Sequence, residues 1–473
     1  MKLCTSLTRT LLVVALGMMA MLARGQMVRT SYFMDGAQYR LQLNPALPPD
    51  RGFVNLPAVG CTGVSSRSDV LSVDDVVDIL KNGGDDEYYI ADDFYNKLDE
   101  RNKATVGLGT DLISVGWWHG KGFMSLNVSI KGQAYASVPR ELFAFMRDMK
   151  GRNSNDYTDY YRDMSDEELN IGLYTEIGAG YTRRINDRLS IGGRVKCLLG
   201  QGNVSLKVGT AVAQSNLRGV DPEINWSEAG FADVINARGT GSIDIQATLE
   251  TSAEGLELPL NEKGYIDHAR FKARNMGVAG VGAAIDLGIA CHVSEAVELS
   301  AAVTDLGFIN WYNGCTQVAH SNTSDLTFDS RDIGDLRRFL GLMGSGEAIN
   351  LHLARFTPVE PPVKKRRTML ASTLAVGGRC WLSRDRLSVG ALYTDRFSHV
   401  ADGSELTLSL NWHPRSLFEL SLSYSPIQCG GSSVGCALKA GPLFVGTDYI
   451  YLGSKTKCFN ALVGLSIPLG RRQ

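Results

Sequence analysis

Asp305 carries a charge out of phase with its surroundings. In "VELSAAVTDLGFINW" the apolar positions Val297, Leu299, Ala301 and Val303 alternate with polar or small ones, and Asp305 takes the next apolar position. Beyond it Leu306 and Phe308 are apolar on the opposite parity. A carboxylate facing an apolar medium is disfavoured, so the pattern predicts a β-bulge or kink that turns Asp305 to the other face. There it is either a structural kink at a barrel rim or the mark of a lateral opening or a lumen site. Glu176, Arg194 and Lys196 share the polar phase of two neighbouring runs, "IGLYTEIGAGYT" and "LSIGGRVKCLLG". Such charges line a polar pore and bind an anion, or pair with one another and fill an interior. Lys364-Lys365-Arg366-Arg367 precedes another alternating run. It suits lipopolysaccharide phosphates, or equally a solvated loop.

Other chemistry lacks its residues. The seven histidines have no HExxH spacing and there is no GxSxG elbow. "GVAGVG" (277–282) opens a strand-like run and lacks the GK[ST] ending of a phosphate loop. Of nine cysteines, all but Cys4 lie beyond the amino-terminal leader, without paired CxxC spacing. Neither zinc nor a disulfide framework is expected, although Cys429 and Cys436 flank a turn and either pair or simply pack. A formal net charge of −2 with 21% charged residues argues against a nucleic-acid protein. No cofactor, metal or catalytic step is expected.

The elements that must position these groups are strands. In "ELTLSLNWHPRSLFELSLSYS" (405–425), Leu406, Leu408, Leu410 and Trp412 alternate with Thr407, Ser409 and Asn411. After His413-Pro414-Arg415-Ser416 the beat resumes with Phe418, Leu420, Leu422 and Tyr424, which predicts a hairpin. Such runs recur roughly sixteen times, many about ten residues long, the length a tilted strand needs to cross a bilayer. Short turns (119–122, 185–187, 294–296, 383–385) join some of them. Long polar stretches (67–103, 139–168, 214–238, 251–277, 312–367) join others, with helical patterns at 72–80, 139–149 and 332–343. The 51 glycines sit largely inside the runs, where they favour bends and close backbone approach. Trp117, Trp118, Trp311, Tyr312, Trp381, Trp412, Tyr449 and Tyr451, near run ends, suit interfacial girdles.

The expected fold is all-β: a transmembrane antiparallel β-barrel of about 14–16 strands with short helices in long loops. A soluble sandwich is the competing class, but it rarely exceeds about 250 residues as one domain. Three segments are expected: a secretory signal peptide at 1–25, a plug-like segment at 26–52 and the barrel at 53–470. Lys2 and Arg9 form a basic region, Leu11 to Leu22 an apolar core too short to span, and Ala23-Arg24-Gly25 a cleavage site. The 26–52 segment carries Tyr32, Phe33, Met34, Tyr39, Leu41 and Leu43, more apolar surface than a solvated tail holds. Pro45 disfavours helix at Asn44, and Pro48-Pro49 stiffens the passage to the first strand. This segment either lies in the lumen or pairs as an exposed arm with a partner.

"LNPALPPDRGFVNLP", "DLISVGW", "SVPRELFAFM", "GGRVKCLLG" and "GAAIDLGIACHVSEAVELSAAVTDLGFINW" resemble a family of Bacteroidetes outer-membrane proteins grouped as a domain of unknown function. The resemblance covers residues 30–470, and its most specific block is Asp305 to Trp311. Asn44-Pro45-Ala46 is similar to the amino-terminal motif of the long-chain fatty-acid transporter barrels. This implies a channel or transporter for small hydrophobic compounds, with Asn44, Pro45, Ala46 and Asp305 as ligand or gating positions. Its partners would be outer-membrane lipids, lipopolysaccharide and the barrel assembly machinery. Barrels of this kind usually end in an aromatic residue, whereas this chain ends Leu469-Gly470-Arg471-Arg472-Gln473. The alternative is a non-transporting anchor or assembly barrel that binds another protein; an outer-membrane hydrolase is third. A continuous lumen path favours the first, and a closed lumen beneath an apolar extracellular patch the second. Amino-terminal sequencing of membrane-extracted protein should start at Gln26; an intact Met1, or recovery in the soluble periplasm, contradicts the signal.

Overall fold

The computed structural model describes residues 28–471 apart from 58, 71, 73–74, 76–85, 227, 273, 275–276, 324–326, 336–353, 361–364, 384–385, 398–402, 416, 429–430 and 451–456. The leader 1–25, Cys429, Lys364, Tyr451 and most of the helical patterns at 72–80 and 332–343 lie outside the described residues. No described helix is long and apolar enough to cross a membrane.

Fourteen antiparallel strands form a closed barrel. The first, β1, runs in two segments, Arg51–Asn55 and Thr62–Ser68. It is followed by β2 (Arg101–His119), β3 (Gly122–Pro139), β4 (Glu167–Arg184) and β5 (Leu189–Ser215). Next, β6 is split into Thr240–Ala253 and Gly280–His292, and β7 is Val297–Trp311. Then β8 joins Arg366–Met369 to Ser372–Ser383, β9 is Leu387–Phe397 and β10 is Gly403–Arg415. The ring ends with β11 (Phe418–Ile427), β12 (Ser433–Ala440), β13 (Leu443–Thr447) and β14 (Cys458–Arg471). Pairs such as Val54–Ile467 and Thr62–Val463 dock β14 on both segments of β1 and close the ring.

Burial is inverted relative to a water-soluble protein. On β10, Leu408, Leu410 and Trp412 are 44–46% exposed, while Thr407, Ser409 and Asn411 between them are buried. On β11, Leu422 and Tyr424 are exposed, and Ser421, Ser423 and Ser425 are buried. The same holds at Ile177 against Glu176, Val195 against Arg194, and Leu287 against Asp286. An apolar outside around a polar inside is stable only with hydrocarbon outside. The apolar face of the hairpin therefore touches lipid.

Tight turns gather at one end of the ring, as at His119–Gly122, where Gly120 takes φ of +57°. Long connections gather at the other, where a folded extension rises. There the upper part of β5 pairs with Thr240–Ala253, which pairs in turn with a strand at Thr316–Asn322. Phe145, Met149, Tyr157, Tyr160, Trp226, Ile266, Phe328 and Phe356 form a core on this sheet. Pro139 precedes the helix Arg140–Met149, as the 139–149 pattern predicts.

Four expectations change. Residues 189–200 and 203–212 form one 27-residue strand, because Gly200-Gln201-Gly202 shifts the alternation without reversing the chain. The alternating stretches "NVSLKVGTAV" (203–212) and "GSIDIQATLE" (241–250) lie in the extension, so roughly sixteen runs make fourteen barrel strands. His413 and Pro414 belong to β10, and Arg415 pairs with Phe418 across a tighter turn than four residues. In the girdle, Trp117, Tyr312 and Trp412 face outward, but Trp311 and Tyr449 are buried inside and Trp118 packs on Phe123. Adjacent strand residues point to opposite faces, so Trp117-Trp118 and Trp311-Tyr312 each supply one lipid-facing ring. Replacing Leu408 or Leu422 by arginine should cost roughly 2–4 kcal/mol of folding free energy in bilayers if the site lies near the midplane. Alanine at Ser409 should cost far less; urea titrations in lipid vesicles compare them, and equal costs would refute this register.

Candidate functional site

Residues 28–50 lie inside the ring. The segment touches wall strands all the way round: Thr30 meets Ser423 on β11, Tyr32 meets Ser300 on β7, and Asp35 meets Arg379 on β8. Pro45 meets Thr182 on β4, and Tyr39 reaches the carbonyl of Gly60 between the segments of β1. Only an interior path reaches so many strands. It runs from the long-loop end, where Arg29 sits beside Asp448 just after β13, down to the start of β1. Two short 3-10 turns, Arg29–Ser31 and Gln38–Gln42, shape it.

Its rings need space that ordinary strand residues would fill. Tyr32 lies against Gly377, Phe33 against Gly390 and Tyr39 against Gly464, where a Cβ would collide with the ring. The strand glycines of the sequence are in this sense half of the packing, the aromatic segment being the other half.

Charges hold both ends. Asp448 accepts hydrogen bonds from the Arg29 N–H (3.0 Å), the Thr30 N–H (2.8 Å) and the Thr30 hydroxyl (2.7 Å). The Arg29 guanidinium pairs with Glu405 and donates to the Tyr449 hydroxyl at 2.9 Å. Lower down, Asp35 is paired with Arg379 (2.9 Å) and Arg40 (2.5 Å), and Arg379 also meets Glu298 (3.1 Å). Glu419 accepts from the Gly36 N–H at 2.7 Å. No sequence signal marks Asp448, which lies 419 residues from Arg29.

Asn44-Pro45-Ala46 forms a tight corner near the lower end. Asn44 is fully buried; its side-chain oxygen accepts from the Ala46 N–H (2.9 Å), and its amide donates to the Tyr32 hydroxyl (2.9 Å). The Thr182 hydroxyl donates to the Pro45 carbonyl at 2.5 Å. Gly192 and Gly288 face this corner and leave no room for a Cβ.

Glu176, Arg194 and Lys196 come together, joined by Lys131, Asp286 and Asp305. Glu176 meets Lys131 at 2.5 Å and Arg194 at 3.3 Å; Asp286 meets Arg194 at 3.2 Å and Lys196 at 2.7 Å. Asp305 reaches Lys196 at 2.6 Å. Three carboxylates thus face three cations on five neighbouring strands, β3 to β7. Asp305 sits at φ +59°, at a register shift opposite Asp286, and its N–H donates to the Asp286 carboxylate at 2.7 Å. The bulge turns its side chain inward. Asp286 was detectable in principle: it shares the inward phase of Ala284, Gly288 and Ala290.

The segment divides the lumen. On the long-loop side a cavity of about 270 Å³ is lined by Lys131, Gln133, Tyr174, Asp305, Trp311 and Arg396. Arg396 on β9 donates across the lumen to Gln133 on β3 at 2.9 Å. On the short-turn side a vestibule of about 820 Å³ is lined by Asp35, Asp50, Trp118, His292, Glu298 and Trp381. The basic run divides as well. Arg366 turns inward to Glu250 (3.1 Å), Ser252 (2.9 Å) and Asn203, whereas Lys365 and Arg367 face outward.

A model of a family described as "Family of unknown function (DUF5723)" matches residues 45–448. No curated protein sequence matches the chain. Among solved structures, the toluene transporter TbuX of Ralstonia pickettii is 10% identical, covering 92% of this chain and 95% of that one, with a TM-score of 0.42. A FadL homologue of Pseudomonas aeruginosa is 10% identical over 94% and 96%, with a TM-score of 0.37. The toluene transporter TodX of Pseudomonas putida is 9% identical over 94% of each chain, with a TM-score of 0.35. These values register a likeness of barrels and assign no solute. Replacing Glu176 by alanine strips the buried cations of a partner and should cost about 3–5 kcal/mol, whereas Arg331→Ala in an exposed pair should cost under about 1 kcal/mol. Urea unfolding in bilayers tests this, and similar costs would argue against the network.

Proposed function

The chain belongs to the family of unknown function DUF5723, a membership that names no solute, and from its geometry we propose that it is an outer-membrane channel for small, largely hydrophobic compounds. Residues 28–50 are its gate. The observation that carries this reading is the placement of that segment between two cavities, joined to β1 at its lower end and held along its length by hydrogen bonds and ion pairs. The upper cavity offers apolar and aromatic surface from Leu173, Tyr174, Ile309 and Trp311, with Lys131 and Arg396 for a polar end group. In this scheme Asn44, Pro45 and Ala46 form the corner on which the gate turns. Asp305 holds Lys196 within the wall beside the solute.

The reading also takes 1–25 as a cleaved signal, lipid and the barrel assembly machinery as partners, and no catalytic step. A second reading, a barrel that binds another protein, is favoured by the lumen that residues 28–50 divide, together with an extension that exposes Tyr161, Ile235 and Leu260.

Planar-bilayer recordings separate the two. The intact protein should conduct only in brief openings, deletion of 28–50 should give a steady open level, and Asp448→Ala should lengthen the openings. A deletion variant that folds, as judged by its heat-modifiable gel mobility, yet stays closed would overturn the gate.

A further inference from the structure

The outer wall of β7 and β8 changes character along its height. From the short-turn end, the outward positions of β7 are Leu299, Ala301 and Val303 and, past the bulge, Leu306 and Phe308, all apolar. Beside Phe308 stands Met369, which is 69% exposed. The next outward positions are Asn310 opposite Arg367, and above them Tyr312 and Lys365. The apolar wall thus ends in an amphipathic ring and two cations at the long-loop end, the height at which hydrocarbon gives way to headgroups.

Arg367 is held in place. Its Nε donates to the Asn310 side-chain oxygen at 2.7 Å, and its guanidinium lies 4.3 Å from the centre of the Phe308 ring. Neither contact neutralises its charge, and among the described residues no ion pair engages the remaining guanidinium N–H groups, which suit a bidentate acceptor. Lys365, exposed one residue before the strand begins, lies roughly 6.5–7 Å from Arg367 along the chain, within reach of the same phosphate group. Arg366 between them points inward to Glu250, so the alternation of the strand separates an interior cation from two exterior ones.

We propose that Lys365 and Arg367 form a binding site for the phosphate of an outer-leaflet lipid whose acyl chains lie against Leu306, Phe308 and Met369. The cations supply charge and bidentate geometry; the apolar strip below them receives the chains. The site is independent of the lumen and of whether the channel conducts.

The test uses the full processed chain in detergent, with bis-phosphorylated lipid A and its dephosphorylated counterpart as probes and native mass spectrometry as the readout. Wild type should retain the phosphorylated lipid. The double variant Lys365→Gln/Arg367→Gln should retain it roughly tenfold to thirtyfold less. Arg188→Gln, on an exposed turn at the opposite rim, should match wild type. Millimolar inorganic phosphate should not displace the lipid, because the acyl chains contribute much of the binding. Equal retention by the double variant, equal retention of the dephosphorylated lipid, or displacement by inorganic phosphate would each overturn the site. Heat-modifiable mobility of each variant confirms that the barrel is folded.

Discussion

Hydrocarbon offers no hydrogen-bond partner to a backbone amide, so a sheet in lipid must leave no open edge. The pairing of β14 with β1 meets that condition, and much else in the molecule follows from it. The closing strand is interrupted between Asn55 and Thr62, yet both of its segments pair with β14 on one side and β2 on the other. Closure turns one face of every strand inward, where it can be neither wet bulk nor lipid. Serine, threonine, asparagine and glycine on that face are what a narrow polar interior accepts.

The interior is then filled in two ways. On one side of the ring, charges of both signs occupy it, with Glu176, Asp286 and Asp305 matched to Lys131, Arg194 and Lys196. Burying such ions is costly in itself, and matched geometry offsets the cost, which makes the group intolerant of losing one member and weak as a source of net stability. Around the rest of the ring the filling is the amino-terminal segment, whose rings lie in the space left by glycines. The two regions meet at Thr182 and Gly192, beside the corner at Asn44-Pro45-Ala46. Disturbance of the segment is thereby placed next to the charged wall.

Period-two alternation is a local property, and what it governs was legible. The barrel class, the faces of 406–412 and 418–424 and the inward turn of Asp305 all follow from phase. Partnerships distant in the chain do not. Arg29 with Asp448, or Arg396 with Gln133, depends on the ring closing, and no spacing announces them. Glycine misled at Gly200-Gln201-Gly202, because the same residue that ends strands also lets one strand change phase and continue. Aromatic residues misled at Trp311 and Tyr449, since residue type suggests an interface while parity decides the face. Asp286 follows from the same parity, but its phase, unlike that of Asp305, sets up no conflict that marks it.

The strands are very unequal in length. β5 has 27 residues and β13 has 5. At about 3.3 Å per residue the first stands several times taller than the second. The folded extension rises above the tall strands, while β9 ends at Phe397 and β10 begins at Gly403, with 11 and 13 residues respectively. The mouth is therefore cut obliquely, with a parapet on one flank and a low sill on the other. A barrel with a level rim presents the same entrance at every azimuth. This one does not, so what a bulky neighbour meets at the mouth depends on rotation about the membrane normal.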